Sequence, residues 1–431
     1  MRSRKWLNKQ VFGWAMFDFA NQAFTLVILT TMFQIYFVEH VVSDDVSLGR
    51  RLWALSGIIT QVVIIAVAPI IGALTDFYGS KKRLLFLAYL GCVVFTALLG
   101  LIPPGAVGMG MTLFILAYLF YAAGENFIGS FLPELAPHRV MGRVSAFGWT
   151  MGYVGGLLCL AGAVLITTVW PGATGYRLVS LWAGLFFLCA AIPTFRWMRE
   201  KKLPEAMPPG QNYMTIGFYR LAATYRSIRN YQWLFRFLAI LTVYLAGMQV
   251  VYWFAGSLMR SLGFDELKMG LFVLQLTVTA IIGALLTARY QDWIGARNFI
   301  LGCLVLWGFT IISIGFADRE WMFWVVGNFI GIGIGALGTS TRALVGLLSP
   351  PHRAGEFFGF YGLAHKLSAI LALGWIGLGE TIFPDRLPVV VSTTAVFFAI
   401  GFVVMLRIDE KAGRMAALRA EHRFRRQLVA D

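Results

Sequence analysis

Charged residues are scarce in this sequence of 431 residues. Only 13% are Asp, Glu, Lys or Arg, against about 25% in soluble domains, whereas hydrophobic residues reach 58%. A soluble core of this size cannot bury that much apolar surface. The composition excludes a water-soluble enzyme, a disordered chain and a secreted disulfide scaffold. It predicts an all-α, polytopic membrane protein.

Signatures of catalysis and metal binding are also missing. All four cysteines lie in apolar runs and none forms a CxxC, which predicts small core residues rather than disulfides or metal ligands. Neither HExxH nor GxSxG occurs, and no GxxxxGK is followed by Ser or Thr. We therefore expect no metal, no cofactor, no ATP hydrolysis and no enzyme activity.

Long apolar runs fill the chain instead. About 20 mainly apolar residues cross a bilayer as a helix. The first run is too long for a signal peptide, carries Asp18 and Asn21, and lacks a clear small-residue cleavage site, so we expect it to stay in the protein. Twelve transmembrane spans are predicted, at 11–38, 52–75, 84–102, 109–133, 143–169, 178–195, 231–256, 269–288, 298–316, 321–348, 357–379 and 388–407.

The basic excess indicates the orientation. The chain has 36 Lys and Arg against 21 Asp and Glu, a formal net charge of +15, and cytoplasmic loops are rich in basic residues. With both termini in the cytoplasm, Lys366 lies in the middle of a span and only seven of the other Lys and Arg residues lie outside. Those outside are Arg50, Arg51, Arg177, Arg260, Lys268, Arg319 and Arg386. The charge therefore argues against nucleic-acid binding. Short loops without an Asn-x-Ser/Thr sequon fit a bacterial inner membrane.

An internal repeat divides the chain. The sequence IIGAL ends span 2 at 70–74 and span 8 at 281–285, each time followed by Asp-x-x-Gly and a basic residue. A Pro-His-Arg sequence, followed by Gly and Phe, recurs in the same order after spans 4 and 10. Two parallel six-span repeats describe a transporter that rocks one half against the other.

The repeat predicts the domain organisation. We expect six-helix halves at 1–195 and 231–407, a cytoplasmic loop at 196–230 and a basic cytoplasmic tail at 408–431. The loop's basic aromatic stretch, 213–231, is either an amphipathic helix on the inner leaflet or a plain connector.

Several motifs resemble a known transporter superfamily. GALTDFYGSKKR at 72–83 resembles the loop between spans 2 and 3 of the major facilitator superfamily. GWAMFDFANQAF at 13–24, RVSAFGWTMGYVGGLL at 143–158 and EFFGFYGLAHK at 356–366 resemble the "unknown major facilitator" family, related to the fungal vacuolar amino-acid effluxer of autophagy. The resemblance implies the major facilitator fold of two pseudo-symmetric six-helix halves, a cavity lined by spans 1, 4, 7 and 10, and an amino-acid-like solute.

The chain departs from that family's pattern at three places, and at one of them Arg342 fits an expected Ser-Arg-Ser only in part. Phe127-Ile128-Gly129-Ser130 stands where an aromatic–Asn pair is expected, and Ala372-Leu373 stands where Gly-Pro is expected.

The loops after spans 2 and 8 are candidate gates. An Asp there can cap the next helix or pair with a base, the Gly allows a tight turn, and the basic residues anchor the inner face. They either form a latch that holds one conformation or serve only as topology signals. The residues are Gly72, Asp76, Gly79, Lys81, Lys82 and Arg83, and in the second copy Asp292, Gly295 and Arg297.

Ionisable groups inside spans are few, and each is expensive to bury, at about 2.5–3.5 kcal/mol on insertion scales. Asp18 lies about 10 Å into span 1, and Lys366 about 14 Å into span 11, at 1.5 Å per residue. Glu125 lies in the inner half of span 4. A lysine at that depth either loses its proton or finds a carboxylate partner. The favoured partner is Asp18, and Glu125 is the second. The group either serves a transport cavity or forms a static salt bridge.

Other polar residues in the spans are weaker candidates. Amides lining a cavity and amides that bond helices together look alike in sequence, and Arg342 could bind an anionic group or snorkel to lipid phosphates. The remaining cavity candidates are Asn21, Gln22, Asn126, Gln249, Asn328, Arg342 and His365. Glycine stripes at 148–156 in span 5 and at 327–335 in span 10 predict close helix packing.

A secondary transporter working by alternating access explains the repeat and the polar groups within the spans. An ion gradient or the solute's own gradient would drive it, with Asp18 and Glu125 as proton carriers if transport is coupled. Two alternatives stay open: a membrane scaffold or sensor without transport, and an intramembrane enzyme, which leaves the repeat unexplained. The expected partners are a small solute, the lipid bilayer and, under coupling, protons. A monomer is expected.

Overall fold

The structure is a computed structural model, and it describes residues 7–42, 45–77, 80–135, 141–200, 212–215, 231–317, 319–350 and 354–430. Every regular element in these ranges is a helix, and twelve of the described helices are long and apolar enough to cross a membrane. The prediction of an all-α protein with twelve spans is confirmed. In chain order the spans are Lys9–Val41, Val46–Ile71, Lys81–Leu99, Val107–Gly129, Phe147–Val169, Ala173–Trp197, Gln232–Ser261, Glu266–Gln291, Ala296–Gly315, Glu320–Leu348, Phe357–Ile382 and Leu387–Met405.

Some helices extend beyond these spans or are interrupted. The full helices of spans 2, 5, 8 and 11 are Val46–Phe77, Met141–Val169, Glu266–Ile294 and Ala354–Ile382. Span 6 consists of Ala173–Ala190 and Ile192–Trp197, and span 12 of Leu387–Thr393 and Ala395–Met405. A short helix, Leu132–Leu135, follows span 4, and a long one, Glu410–Ala430, follows span 12.

Span 1 departs twice from α-helical geometry. It is α-helical over Lys9–Gln22 and Met32–Tyr36 but π-helical over Ala23–Thr30 and Phe37–Val41. Between them Thr31 has φ −127° and ψ −92°. The hydroxyls of Thr30 and Thr31 donate to the carbonyls of Thr25 and Leu26, at 2.8 and 2.6 Å. Because no water serves backbone groups inside a bilayer, such side-chain bonds stabilise an irregular turn there, and π-turns are frequent at functional sites.

The glycine stripes pack closely against neighbouring helices, as predicted. In span 5, a Cβ added at Gly152 would lie 3.2 Å from Gln22 Cγ of span 1, and one at Gly155 would collide with the Phe19 carbonyl. In span 10, a Cβ at Gly331 or Gly335 would collide with Thr279 or with the backbone of Ala280 in span 8. These helices approach each other where only glycine fits.

The cysteine prediction holds for three of the four residues. Cys92, Cys159 and Cys303 are buried, whereas Cys189 is exposed. Lipid-facing and interior positions of a membrane helix are similarly apolar, so hydropathy did not separate them.

Two compact units can be distinguished. The first contains the described parts of spans 1–6, together with Trp253–Arg260 of span 7 and Phe264–Gly270 at the start of span 8. The second contains the rest of spans 7 and 8, spans 9–12 and the helix Glu410–Ala430. The predicted division into six-helix halves at 1–195 and 231–407 stays a prediction. Most of the loop at 196–230, including the predicted amphipathic stretch, lies outside the described residues.

Candidate functional site

A carboxylate pair lies where spans 1, 4 and 5 meet in the first unit. Asn21 Nδ2 donates a hydrogen bond to Glu125 Oε1, and the Asp18 carboxylate lies close enough to Glu125 for their charges to interact. Gly148 of span 5 makes room for Asp18, since a Cβ there would lie 2.5 Å from Asp18 Oδ2. The interaction between the two negative charges is repulsive, and a bound proton or cation relieves that repulsion.

An aromatic wall continues from this pair along span 4. Thr25 Oγ1 donates to the hydroxyl of Tyr121 at 3.1 Å, and Gln61 Nε2 donates to that of Tyr118 at 3.2 Å. The Tyr121 ring stacks on Phe24, with centroids 4.9 Å apart, and the Tyr118 ring stacks on Trp253 at 5.6 Å. Ring faces of this kind attract cations and apolar groups.

Sequence reasoning missed the two tyrosines. Tyr118, Tyr121 and Glu125 follow one another at three- and four-residue spacing on one face of span 4, which places them in line. That spacing was a usable signal, but in an apolar span it resembles ordinary core packing.

Gln22 and Asn126, two of the predicted cavity residues, make no bond to the carboxylate pair among the described hydrogen bonds. Gln22 packs against Gly152 and Gly156 of span 5, with its Cβ 3.2 Å from a Cβ added at Gly156. Asn126 is exposed and donates to the carbonyl of Ala122 in its own helix at 2.9 Å. Their polar groups therefore make no contact with Glu125 among the described hydrogen bonds.

A basic cluster lies in the second unit, around His365. Gln249 Nε2 of span 7 donates to the His365 carbonyl at 3.2 Å, and Ser368 Oγ donates to the same oxygen at 2.7 Å. The His365 ring stands edge-on to Tyr361, with centroids 4.6 Å apart. The cations whose charges act on His365 are Arg342 and Lys366. This cluster suits an anionic group.

Two further candidates of the second unit are Asn328 and Lys366. Asn328 donates to the Trp324 carbonyl of its own helix at 3.0 Å, so it serves span 10 itself and does not join the cluster. Lys366 belongs to the second unit, whereas Asp18 and Glu125 belong to the first. The predicted ion pair therefore stays a prediction.

The loop after span 2 forms a reciprocal cap with the end of span 6. Glu200 accepts the backbone N–H of Lys81 at 2.7 Å and the hydroxyl of Ser80 at 3.0 Å. Lys82 Nζ donates in return to the Met198 carbonyl at 2.8 Å. A carboxylate thus sits at the N-terminus of span 3, and an ammonium at the C-terminus of span 6, each on the side that the helix dipole favours. Arg83 is exposed.

The loop after span 8 repeats this arrangement in the second unit. Glu410 accepts the backbone N–H of Arg297 at 2.9 Å. The Arg297 guanidinium donates to the carbonyls of Met405 and Leu406, at the end of span 12. Gly295 has φ +89°, a left-handed conformation that explains the glycine at this turn.

The predicted gate aspartates are only partly described. Gly72 and Asp76 belong to the helix Val46–Phe77, and Asp292 to Glu266–Ile294. Their side-chain surroundings, and Gly79 altogether, lie outside the described residues. The latch role of these loops stays a prediction.

Sequence reasoning also missed Glu200 and Glu410. Both precede a lysine shortly after the last span of a half, so the internal repeat contained a signal for them. Across the described residues, no group of three or more His, Cys, Asp and Glu could hold a metal ion.

Comparison with known proteins shows the family to which this chain belongs. The family described as vacuole effluxer Atg22-like matches residues 138–418. The Bacillus subtilis protein YxiO, described as an uncharacterised MFS-type transporter, is 23% identical over 94% of this chain and 96% of its own. Autophagy-related protein 22-1 of Penicillium rubens is 22% identical over 65% of this chain, which spans only 51% of that longer relative.

Solved structures share the fold. A bacterial homologue of the human lysosomal transporter Spinster superposes with a TM-score of 0.69 at 11% identity, covering 95% of this chain and 96% of that one. A D-xylose–proton symporter gives 0.69 at 14% identity, covering 94% and 98%. The relatives and neighbours are transporters, in agreement with the expectation of a protein that is not an enzyme. The chain has the major facilitator fold and belongs to the family of Atg22-like vacuole effluxers.

Proposed function

We propose that this membrane transporter of the major facilitator type moves a small, zwitterionic, amino-acid-like solute by alternating access, driven by protons that bind at Asp18 and Glu125. The carboxylate pair held by Asn21 carries the proposal. Charged groups in a membrane are expensive and mark ion or substrate pathways. Asn21 orients one carboxylate of the pair.

The solute class is inferred from the chemistry of two clusters. The first unit offers carboxylates and the rings of Tyr118 and Tyr121, which suit an ammonium group and an apolar side chain. The second unit offers Arg342 and Lys366 beside His365, which suit a carboxylate. A solute that carries both an ammonium and a carboxylate group, as amino acids do, would suit the chemistry of each cluster taken separately. The match to the vacuole effluxer Atg22-like family, with the sequence resemblance to the fungal amino-acid effluxer described above, supports the proposal of an amino-acid-like solute.

The placement of the protein completes the proposal. We propose that both termini lie in the cytoplasm, because basic residues are concentrated in the loops that this orientation puts inside. The short loops without an Asn-x-Ser/Thr sequon fit a bacterial inner membrane, and a monomer is part of the proposal.

Thermal-shift measurements on the purified protein test the solute class. The probes are leucine, tyrosine, lysine and glutamate, with xylose and uridine as uncharged comparisons. A ligand that binds only the folded state raises the melting temperature with concentration. We expect a shift with at least one amino acid and none with its methyl ester or its N-acetyl derivative. A shift with xylose or uridine alone would contradict the zwitterion, and binding without uptake into proteoliposomes would favour a sensor.

A further inference from the structure

The helix Glu410–Ala430, called the tail helix from here on, starts at the membrane surface. Residues 406–409 connect it directly to the end of span 12. Its first residue is tied to the same end of the second unit, because Glu410 accepts the backbone N–H of Arg297 at the start of span 9. The beginning of the tail helix is therefore held at the level where the spans end.

One face of the tail helix consists of small residues and packs on the second unit. A Cβ added at Gly413 would collide with Leu348 Cδ2, at the end of span 10, and would lie 3.1 Å from Trp233 Cβ, at the start of span 7. Ala417, one turn later on the same face, is buried. This face is therefore covered by the ends of the spans.

The opposite face of the tail helix is exposed and combines basic with large apolar side chains. Met415 is 49% exposed and Leu418 is 43% exposed. A spacing of three, four and seven residues places the exposed positions on one side of the helix. We call these positions the outer face, which consists of Lys411, Arg414, Met415, Leu418, Arg419 and His422.

Positive charge is concentrated on the outer face. The tail helix contains six Lys and Arg against two Glu. Both acidic residues, Glu410 and Glu421, are half-buried, and up to His422 every exposed position of the helix is either basic or apolar. Among the described ion pairs, none includes Arg414 or Arg419. The outer face therefore presents cations without an interspersed acid.

An anionic lipid surface matches both properties of the outer face. Helices that lie in the membrane interface combine Lys and Arg with Leu and other apolar residues, and they bind anionic lipids through both. Lipid phosphates would neutralise the basic side chains, and the boundary between headgroups and acyl chains would cover Met415 and Leu418. The helix starts at the membrane surface, so lipid headgroups are the anions closest to it.

We propose that the outer face of the tail helix docks on anionic phospholipid headgroups beside the second unit. Lys411, Arg414 and Arg419 pair with the phosphates, and Met415 and Leu418 enter the interfacial layer between them. The docking depends neither on the solute nor on proton coupling. The orientation proposed above makes this surface the cytoplasmic leaflet.

A fluorescent reporter in the full-length protein tests the docking. Met415→Cys in a Cys189→Ser background, which removes the exposed native cysteine, is labelled with a nitrobenzoxadiazole fluorophore whose emission rises and shifts to the blue outside water. The protein is reconstituted in nanodiscs of phosphatidylcholine alone or mixed with phosphatidylglycerol. We expect the blue shift, and quenching by lipids spin-labelled near the headgroup, in the discs that contain phosphatidylglycerol. An unshifted emission in both lipids would overturn the proposal.

A salt series tests the electrostatic part on basic residues that are all unchanged. Raising the ionic strength from about 0.1 M to about 1 M shortens the Debye length from about 10 Å to about 3 Å. The emission in phosphatidylglycerol should then fall to its value in phosphatidylcholine. A blue shift that is equal in both lipids, or that persists at high salt, would show that apolar insertion alone places the helix and would contradict recognition of anionic lipid.

Matched double variants test the arginines. Arg414→Gln with Arg419→Gln should lower the ratio of docked to undocked helix about fivefold for each arginine removed, the effect of one basic residue near an anionic surface. Arg319→Gln with Arg386→Gln removes two exposed arginines at the opposite ends of spans 10 and 12 and should leave the ratio unchanged. An equal loss in both double variants would overturn the proposal. If the first pair fails to fold, the salt series decides.

Polyglutamate distinguishes a lipid surface from an acidic protein partner. It is added to the labelled protein in uncharged detergent, where it offers carboxylates but no interfacial layer. We expect no blue shift under these conditions. A shift with polyglutamate, together with none in the phosphatidylglycerol discs, would assign the outer face to an acidic protein and overturn the lipid proposal.

Discussion

Glu200 accepts the backbone N–H of Lys81 at 2.7 Å, so a carboxylate that follows span 6 caps the first turn of span 3. Glu410 does the same for Arg297 in the second unit. Each cap ties the loop between the second and third spans of a repeat to the residues that follow its last span. A carboxylate at a helix N-terminus is the favourable arrangement for the helix dipole.

Removing these caps should lower stability. We expect Glu200→Ala and Glu410→Ala each to reduce the free energy of unfolding by about 0.5–2 kcal/mol, the range found for lost helix caps, and the glutamine variants to lose less. Thermal melting of the detergent-solubilised protein measures the effect. Arg83→Ala is the control because that side chain is exposed. Equal melting temperatures for Glu200→Ala and Arg83→Ala would show that the cap contributes nothing.

Two glycines one turn apart in span 10 should respond differently to alanine. A Cβ at Gly335 would collide with the Ala280 carbonyl of span 8, whereas a Cβ at Gly338 would meet nothing within 4 Å. We expect Gly335→Ala to destabilise the protein by about 1–3 kcal/mol, as overpacking does. Gly338→Ala should be neutral or stabilising, since alanine favours a helix. Thermal melting measures the stability of both variants. Equal melting temperatures for the two would contradict the close packing of spans 8 and 10.

Much of the fold could be predicted from the sequence because a bilayer demands about 20 apolar residues per helix and little else. The boundaries of span 1 were nearly right, but its π-helical turns were not foreseen, since hydropathy says nothing about which carbonyl a given N–H reaches. Asp18 and Glu125 could be proposed as candidates from the sequence because charge inside a span is costly. Arg260 was interpreted only as an orientation signal, yet it lies within ion-pair distance of Glu39 and Glu266. A basic residue at the end of a span looks the same in sequence whether it is hydrated or paired.

Variants of Lys366 distinguish an ion pair that takes part in the transport cycle from a static pair that only stabilises the fold. If it pairs with Asp18 or Glu125 during the cycle, Lys366→Ala should abolish uptake while folded yield survives. A static pair predicts lower yield for each single change, with both yield and uptake restored by Lys366→Met combined with Asp18→Leu, since apolar pairs can replace buried ions. Yield by size-exclusion chromatography and uptake of the amino acid identified by thermal shift give the two readouts.

The proposed orientation can be tested by labelling single cysteines in intact cells. Asp265 and Leu48 are exposed at the ends of spans predicted to face outside, and Asn212 is exposed in the loop predicted to face inside. Ser47 is buried at 3% exposure and would be a poor reporter. We expect an impermeant maleimide to label Asp265→Cys and Leu48→Cys but not Asn212→Cys. Labelling of Asn212→Cys from outside would reverse the orientation.

The carboxylate pair itself is tested most directly by uptake into proteoliposomes under an imposed pH gradient, with the amino acid that shifts the melting temperature as the probe. The protein should accumulate that amino acid when the gradient is present. Glu125→Gln should lose the accumulation but keep exchange of labelled for unlabelled amino acid, because the proton site is gone while the solute path remains. Asn126→Ala, a change at the neighbouring residue that bonds only within its own helix among the described contacts, should accumulate normally. Accumulation by Glu125→Gln equal to that of Asn126→Ala would contradict proton coupling at this pair.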